Sequence, residues 1–411
     1  MENKLPHICI ATSGVLPIPD VRGGAIEHLV TMLIEDNEKN PHFYITMITH
    51  SNSKTQIFQN QFRYTKFINI TTWGYPYYKF AWMVRGLLSK LGMQHTYFLH
   101  VYERKVEQYL LKNGFGFDLI INEGLQFDVL RKVASKYGKE KLCSHLHCNK
   151  ISDAVMESTY GNIMAVSDFI RDKFADSSRL DSNFIKTVFN GIDTYSFQKK
   201  ISRVEYKSLR KQLGIEENDF VYLFCGRLVP QKGIKELIEA FLSVYKPSMK
   251  LLIIGSSNFG LGNYGKYPRE VKKLVDNNRD KIKFTGFIPN NEIYKYHQLS
   301  DVGVVPSTYD DPCPLALFEM ITSGLPTIVT KAGGMTQIAS EQTSIFIHLD
   351  VLVNELKLAI EQLYRNTELL TVMSSQAIER AKSYTRKQFY ENFYTTVLGF
   401  IKNNRYKNII K

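Results

Sequence analysis

Short apolar runs alternate with amphipathic segments along nearly the whole chain, and this order is repeated in its second half. Residues 8–11 read as a first strand, followed by a loop with Pro17, Pro19, Gly23 and Gly24. Ile26, Leu29, Val30 and Leu33 then keep the i, i+3, i+4, i+7 spacing of one helical face, so a helix is predicted from about Ala25. Further strands are predicted at 43–49, 119–121, 142–147, 163–166 and 187–189. The second half opens on a strand at 220–225, turns at Gly226-Arg227, and passes Lys232-Gly233 into a helix marked by Ile234, Leu237, Ile238 and Phe241. Strands at 251–254, 283–284, 302–305 and 327–330 follow, the last two joined by an apolar helix over 315–323. Strands alternating with helices in two similar halves predict an α/β architecture of two doubly wound, Rossmann-like domains facing one cleft.

Length agrees with that division, because 411 residues exceed what one core normally serves. Asn190-Gly191 is a strong turn dipeptide, and the composition becomes polar and basic beyond it. The boundary is placed at Asp193, giving domains 1–193 and 194–384, with an aromatic-rich, basic-ended helix over 385–411. The formal charge of +12 implies an anionic partner, whether nucleic acid, phospholipid or a phosphorylated small molecule. Five scattered cysteines, odd in number, favour a reducing compartment over a disulfide framework. The polar start leads directly into a strand, so no signal peptide is expected. No apolar run approaches the roughly 20 residues of a membrane-spanning helix. The expectation is therefore a cytoplasmic protein that at most touches the inner face of a membrane.

Residues 61–112 mix aromatic and basic side chains with only two acids, Glu103 and Glu107. Within them Phe80, Val84, Leu87, Leu88 and Leu91 share one helical side, flanked by Arg85 and Lys90. Such a helix suits an anionic lipid surface, or equally a core position with a solvated edge.

Several residues carry candidate chemistry. Gly23-Gly24 before a helix lets an anion approach backbone N–H groups, although a glycine pair also makes an ordinary tight turn. Glu27 in that helix's first turn complements the helix dipole. Cys143, His145 and His147 alternate onto one face of a predicted strand, but without a further spaced ligand a zinc site is not expected. His147, at the strand end, is better placed for a ligand crevice. In the second half, Arg227 and Lys232 leave the carboxyl end of a strand as a planar fork and a point charge, the usual complement to a diphosphate. Pro314 suits the first turn of the helix that follows, whose free N–H groups near Leu315 favour an anion. Asp311 and Glu319 add acceptors for sugar or ribose hydroxyls, and Glu319 is the one carboxylate in an otherwise apolar helix.

With Arg22-Gly23-Gly24-Ala25-Ile26-Glu27, His147, Asn190-Gly191-Ile192-Asp193, Gly226-Arg227…Lys232-Gly233 and a carboxylate pair ending at Glu319, the chain resembles the retaining glycosyltransferases of family 4 over essentially its whole length. The resemblance implies a GT-B fold whose C-terminal helix returns to the N-terminal domain. It implies that Arg227 and Lys232 hold the donor diphosphate, that Glu319 binds the ribose, and that Asp311, in place of the usual glutamate, contacts donor sugar hydroxyls. Gly23 and Gly24 would lie beside the phosphate, His147 would line the sugar pocket, Phe287 and Ile288 would flank the base, and Pro314 and Leu315 would complete the donor site. On the same analogy His147, Arg227, Lys232 and Asp311 form the catalytic set, no metal or other cofactor is needed, and Asp310-Asp311 is not a metal pair. The implied reaction moves a hexose from a nucleotide sugar, with UDP the expected carrier, to a cell-envelope or capsular glycan that is lipid-linked or membrane-proximal. A GT-B epimerase or phosphorylase keeps the fold with different chemistry. Nucleic-acid binding is not expected, because the aromatic and basic residues form no recognisable module for it.

Overall fold

The computed structural model describes residues 4–21, 23–72, 101–256 and 265–409. The helix expected over 80–91 lies outside them, as does Arg22. Among the described residues two wholly parallel sheets form, one in each of two compact units.

The first unit comprises residues 1–166, 171–188 and 390–411. Its strands are β1 (His7–Thr12), β2 (Tyr44–His50), β3 (Thr65–Ile70), β4 (Leu119–Glu123), β5 (Leu142–Leu146), β6 (Asn162–Ala165) and β7 (Ile185–Thr187), ordered β3-β2-β1-β4-β5-β6-β7. Ile8, Cys9, Ile10 and Ala11 of β1 are fully buried, as are Ile120 and Ile121 of β4, because helices cover both faces of a parallel sheet. The helix Ala25–Lys39 turns Leu29, Val30 and Leu33 inward as its spacing predicts. β3 was hidden inside the aromatic and basic stretch: it pairs with β2 over six residues, so this part of the stretch is sheet. β7 lies two residues earlier than the spacing suggested, and β5 stops one residue short of His147.

The second unit comprises residues 167–170 and 189–389. Its strands are β8 (Phe220–Cys225), β9 (Met249–Ile254), β10 (Ile282–Gly286), β11 (Val302–Val305), β12 (Thr327–Thr330) and β13 (Ser344–Ile347), ordered β10-β9-β8-β11-β12-β13. The short β13, buried at Ser344 and Ile347 and half-buried between them, escaped the sequence reading. Tyr222, Leu251 and Ile253 pack with Leu237, Ile238 and Phe241 of the helix Ile234–Ser243 and with Leu356, Ile360 and Leu363. Each such aliphatic side chain contributes about 1.5–3 kcal/mol on full burial. The Tyr222 hydroxyl, inside this cluster, donates to the Ile360 carbonyl at 2.6 Å, which removes the penalty of burying it.

The chain changes units near 188 and 389 rather than at 193 and 384. Asn190-Gly191-Ile192-Asp193 is tied into the second unit: Ile192 N–H donates to Tyr384 O and Arg386 N–H to Ile192 O, each at 2.9 Å. The helix Arg386–Ile409 joins the first unit from Tyr390 onward. There the Tyr390 hydroxyl donates to Asn37 Oδ1 at 2.9 Å and His42 stacks on Tyr394 with ring centroids 3.8 Å apart. No helix among the described residues is long and apolar enough to cross a membrane.

Candidate active site

Both sheets reverse strand order beside their first strand, between β1 and β4 and between β8 and β11. Crevices for ligands open at such points outside the carboxyl ends of the strands. The predicted residues fall at these two carboxyl edges, one group in each unit.

In the second unit the chain leaves β8 through Gly226 and the exposed Arg227, whose guanidinium has no hydrogen bond or ion pair among the described residues. Lys232 closes a short 3-10 turn, Pro230–Lys232, and Gly233 follows at φ +66°. A Cβ on Gly233 would sit 1.8 Å from the Pro306 carbonyl oxygen, so this loop lies directly against the end of β11. Lys232 Nζ contacts Asp311 Oδ2 at 2.5 Å, and Ser307 Oγ donates to the same oxygen at 3.1 Å. Asp311 is only 4% exposed. The structure thus gives Asp311 a first partner that the sequence did not indicate: it neutralises Lys232 instead of standing open to sugar hydroxyls.

The segment between β11 and the next helix is pinned from several sides. Ser167 Oγ donates to Pro312 O at 2.8 Å, Asn190 Nδ2 to Cys313 O at 3.3 Å, and Gly334 N–H to Asp311 O at 2.8 Å. Pro314 is the N-cap of the helix Leu315–Thr322 rather than its first helical residue; its φ of −70° suits proline and its ψ of 118° is extended. No side chain among the described residues caps this start, and Leu315 is half-buried. Glu319 is buried on that helix, and its charge, after burial itself, raises the Cys225 thiol at the end of β8. Phe287 and Ile288, both half-buried, follow β10. Arg227, Lys232, Asp311, Pro314, Leu315, Glu319, Phe287 and Ile288 therefore all lie at or just beyond the carboxyl edge of one sheet.

In the first unit Gly23, at φ +73°, donates its N–H to Asp20 Oδ1 at 2.7 Å, and Gly24 is the N-cap of the helix Ala25–Lys39. A Cβ on Gly24 would fall 2.0 Å from Glu27 Oε2, so this carboxyl curls back over the glycine. Glu27 is no surface complement to the helix dipole. Burial pushes its carboxyl up to about 7; a hydrogen bond from its own backbone N–H opposes this, and the charges of Asp20 and Glu123 add to it.

The residue that sequence reasoning missed is Glu123. The strand was read as ending at 121, whereas β4 runs on to Glu123, an acid at a strand terminus just before Gly124. That position was its available signal. Glu123 Oε1 meets His145 Nδ1 at 2.8 Å and Oε2 meets His147 Nε2 at 2.7 Å. Burial would raise its carboxyl, but His145 and then His147 hold it down at about 2. Burial and the neighbouring His145 lower the His147 imidazole against the pull of Glu123. Cys143, on the same face, is fully buried and outside this set.

Among the described residues, Glu123, His145 and His147 are the one group with three metal-ligating atoms close together, all within 4.8 Å of one another. Their spacing is nevertheless that of hydrogen bonds. Donors 2.0–2.1 Å from one tetrahedral zinc would lie about 3.3 Å apart, wider than the 2.7 and 2.8 Å observed.

Residues 205–380 match the family model for glycosyl transferases group 1. The chain is 28% identical over 291 residues, 67% of its length and 70% of the other's, to the provisionally assigned glycosyltransferase YtcC of Bacillus subtilis (strain 168). It is 29% identical over 201 residues to the UDP-Gal:alpha-D-GlcNAc-diphosphoundecaprenol alpha-1,3-galactosyltransferase of Escherichia coli, a match spanning 47% of this chain and 49% of that one. Anabaena Alr3699/HepE, solved in complex with UDP-glucose, superposes with a TM-score of 0.72 at 19% identity, covering 95% of this chain and 99% of that one. The fold is that of the GT-B glycosyltransferases. The family match and these relatives support a GT-B glycosyltransferase.

Proposed function

We propose that the chain transfers a hexose, with retention of anomeric configuration, from a nucleoside diphosphate sugar to a cell-envelope or capsular glycan acceptor that is lipid-linked or membrane-proximal. UDP is the proposed carrier. The observation that carries the reading is the grouping of Arg227, Lys232, the uncapped helix start at Leu315 and the buried Glu319 at the switch point between β8 and β11. A planar cation, a point charge and free helix N–H groups suit the two phosphates, while Glu319 offers an acceptor for ribose hydroxyls.

Catalysis in this reading is electrostatic. As the bond to the anomeric carbon breaks, negative charge grows on the leaving diphosphate. Arg227 and the helix start at Leu315 stabilise that charge, with Lys232 sharing its ammonium between Asp311 and phosphate. These cations do the work that a metal ion does elsewhere, so the reaction proceeds without one. His147 borders the sugar, and the leaving phosphate takes the proton of the acceptor hydroxyl.

The reading accords with UDP-glucose bound to the Anabaena protein and with the UDP-galactose and diphosphoundecaprenol in the Escherichia coli enzyme's name. Its test is product analysis by mass spectrometry with UDP-, GDP- and ADP-hexoses and a panel of lipid-linked and free glycans. The expected result is a new glycoside, with Arg227→Ala lowering kcat. Sugar isomerised from donor alone, or sugar phosphate released when inorganic phosphate replaces the acceptor, would instead assign an epimerase or a phosphorylase, and an unchanged kcat in Arg227→Ala would contradict the role given to that residue.

A further inference from the structure

The carboxylate of Glu123 is about 1% exposed and faces two imidazoles at once, one oxygen to each. An ionised carboxylate only accepts hydrogen bonds, so the nitrogens facing it carry the protons: Nδ1 of His145 and Nε2 of His147. The remaining nitrogens differ in surroundings. His145 Nε2 is buried with no partner among the described residues. The His147 side chain is 14% exposed, just beyond the end of β5 at the ligand edge of the sheet, and its Nδ1 has no partner among the described residues.

We infer that Glu123 is a positioning residue: by accepting the Nε2 proton of His147 it fixes the ring's tautomer and presents Nδ1 as a lone-pair acceptor to a hydroxyl of the bound carbohydrate. This deepens the proposed transferase function and rests on it only for the identity of that carbohydrate. His145 is the second clamp. Its own bond to the other oxygen holds the carboxylate plane, so Glu123 cannot rotate away from His147 without leaving a buried N–H unmatched.

The arrangement makes a specific demand on Glu123→Gln. The amide replaces two accepting oxygens by one acceptor and one NH₂ donor, so one imidazole must turn its lone pair inward. His145 resists, because moving its proton to Nε2 would place an N–H where no acceptor lies among the described residues. His147 therefore yields: its Nε2 accepts from the amide and its Nδ1 gains the proton. A sugar hydroxyl that donated to Nδ1 would then meet a donor.

The test combines ¹⁵N–¹H correlation spectra of the imidazoles in the full chain with a double-mutant cycle. The His147 signals are assigned by their loss in His147→Gln. The wild type is expected to show the Nε2–H tautomer at His147, and Glu123→Gln the Nδ1–H tautomer. Glu123→Gln is expected to lower kcat/KM for the nucleotide sugar about tenfold in the wild-type background, but no more than about twofold when His147 is already alanine. An Nδ1–H tautomer in the wild type would overturn the inference. So would an equal loss in the His147→Ala background, or one tightly bound metal ion per chain by elemental analysis. Where Glu123→Gln does not fold, the wild-type spectrum alone decides. That spectrum needs no substrate, so an Nε2–H tautomer in a protein inactive on every nucleotide sugar would support Glu123 positioning while rejecting the transferase reading.

Discussion

Lys232 and Asp311, 79 residues apart in sequence, meet as an ion pair with Nζ 2.5 Å from Oδ2. The pair joins the loop after β8 to the loop after β11 across the switch point of the second sheet. Its side chains are 16% and 5% exposed, so neither charge is well solvated. Removing Lys232 leaves the buried Asp311 carboxylate without its countercharge, with the Ser307 hydroxyl still donating to it. Lys232→Ala is expected to cost about 3 kcal/mol, the lower end for a broken buried pair because the lysine keeps some water contact. Lys232→Met combined with Asp311→Leu should recover most of that loss. Urea unfolding of the three variants measures this, and single variants as stable as the wild type would show that the pair contributes little.

Gly233 makes the same junction from the backbone side. Its φ of +66° disfavours any side chain, and a Cβ would be 1.8 Å from Pro306 O. Gly233→Ala combines left-handed strain of about 1 kcal/mol with a backbone collision that only a shift of the loop can relieve. The expected outcome is a drop in melting temperature of at least about 8 °C, or loss of soluble protein. A melting temperature within about 2 °C of the wild type would contradict the close approach of these two loops.

Glu27 gives the first unit a pH signature. Its carboxyl titrates at about 7 in the folded chain and near 4.5 when free. The folded state favours the protonated form, so the associated stability is fully present below about pH 4.5 and is lost as the pH rises through about 7. The difference amounts to roughly 3 kcal/mol at its full extent. Glu27→Gln, neutral at every pH, should remove this decline between pH 5 and 8 in denaturant midpoints. A decline of equal size in the variant would place its origin elsewhere.

Much of this fold was legible because buried parallel strands and amphipathic helices leave different periods in the sequence. The runs at 220–225, 302–305 and 327–330 became β8, β11 and β12 without adjustment. β3 was masked because Lys66, Phe67 and Asn69 are those of a half-covered edge strand, and basic and aromatic neighbours overlay its alternation. The glycine, arginine, lysine and carboxylate positions of the second unit were legible by type. Their pairing was not: nothing in sequence spacing says that Asp311 turns to Lys232. Glu123 was invisible for a related reason. Its role comes from β4 and β5 lying side by side, which puts it opposite two histidines 22 and 24 residues further on.

The central claim is that the second unit holds a nucleoside diphosphate through Arg227. Arg227 is exposed and unpaired among the described residues, so Arg227→Ala should leave the ligand-free melting temperature unchanged. The most direct measurement is thermal stabilisation by UDP, GDP and ADP sugars in the wild type and in this variant. At 100 times Kd, a bound donor stabilises by about 2.7 kcal/mol, a shift of several degrees. The expected result is a clear shift with one nucleotide sugar, UDP-linked, that is largely lost in Arg227→Ala. No shift with any of them, or an equal shift in the variant, would contradict the account.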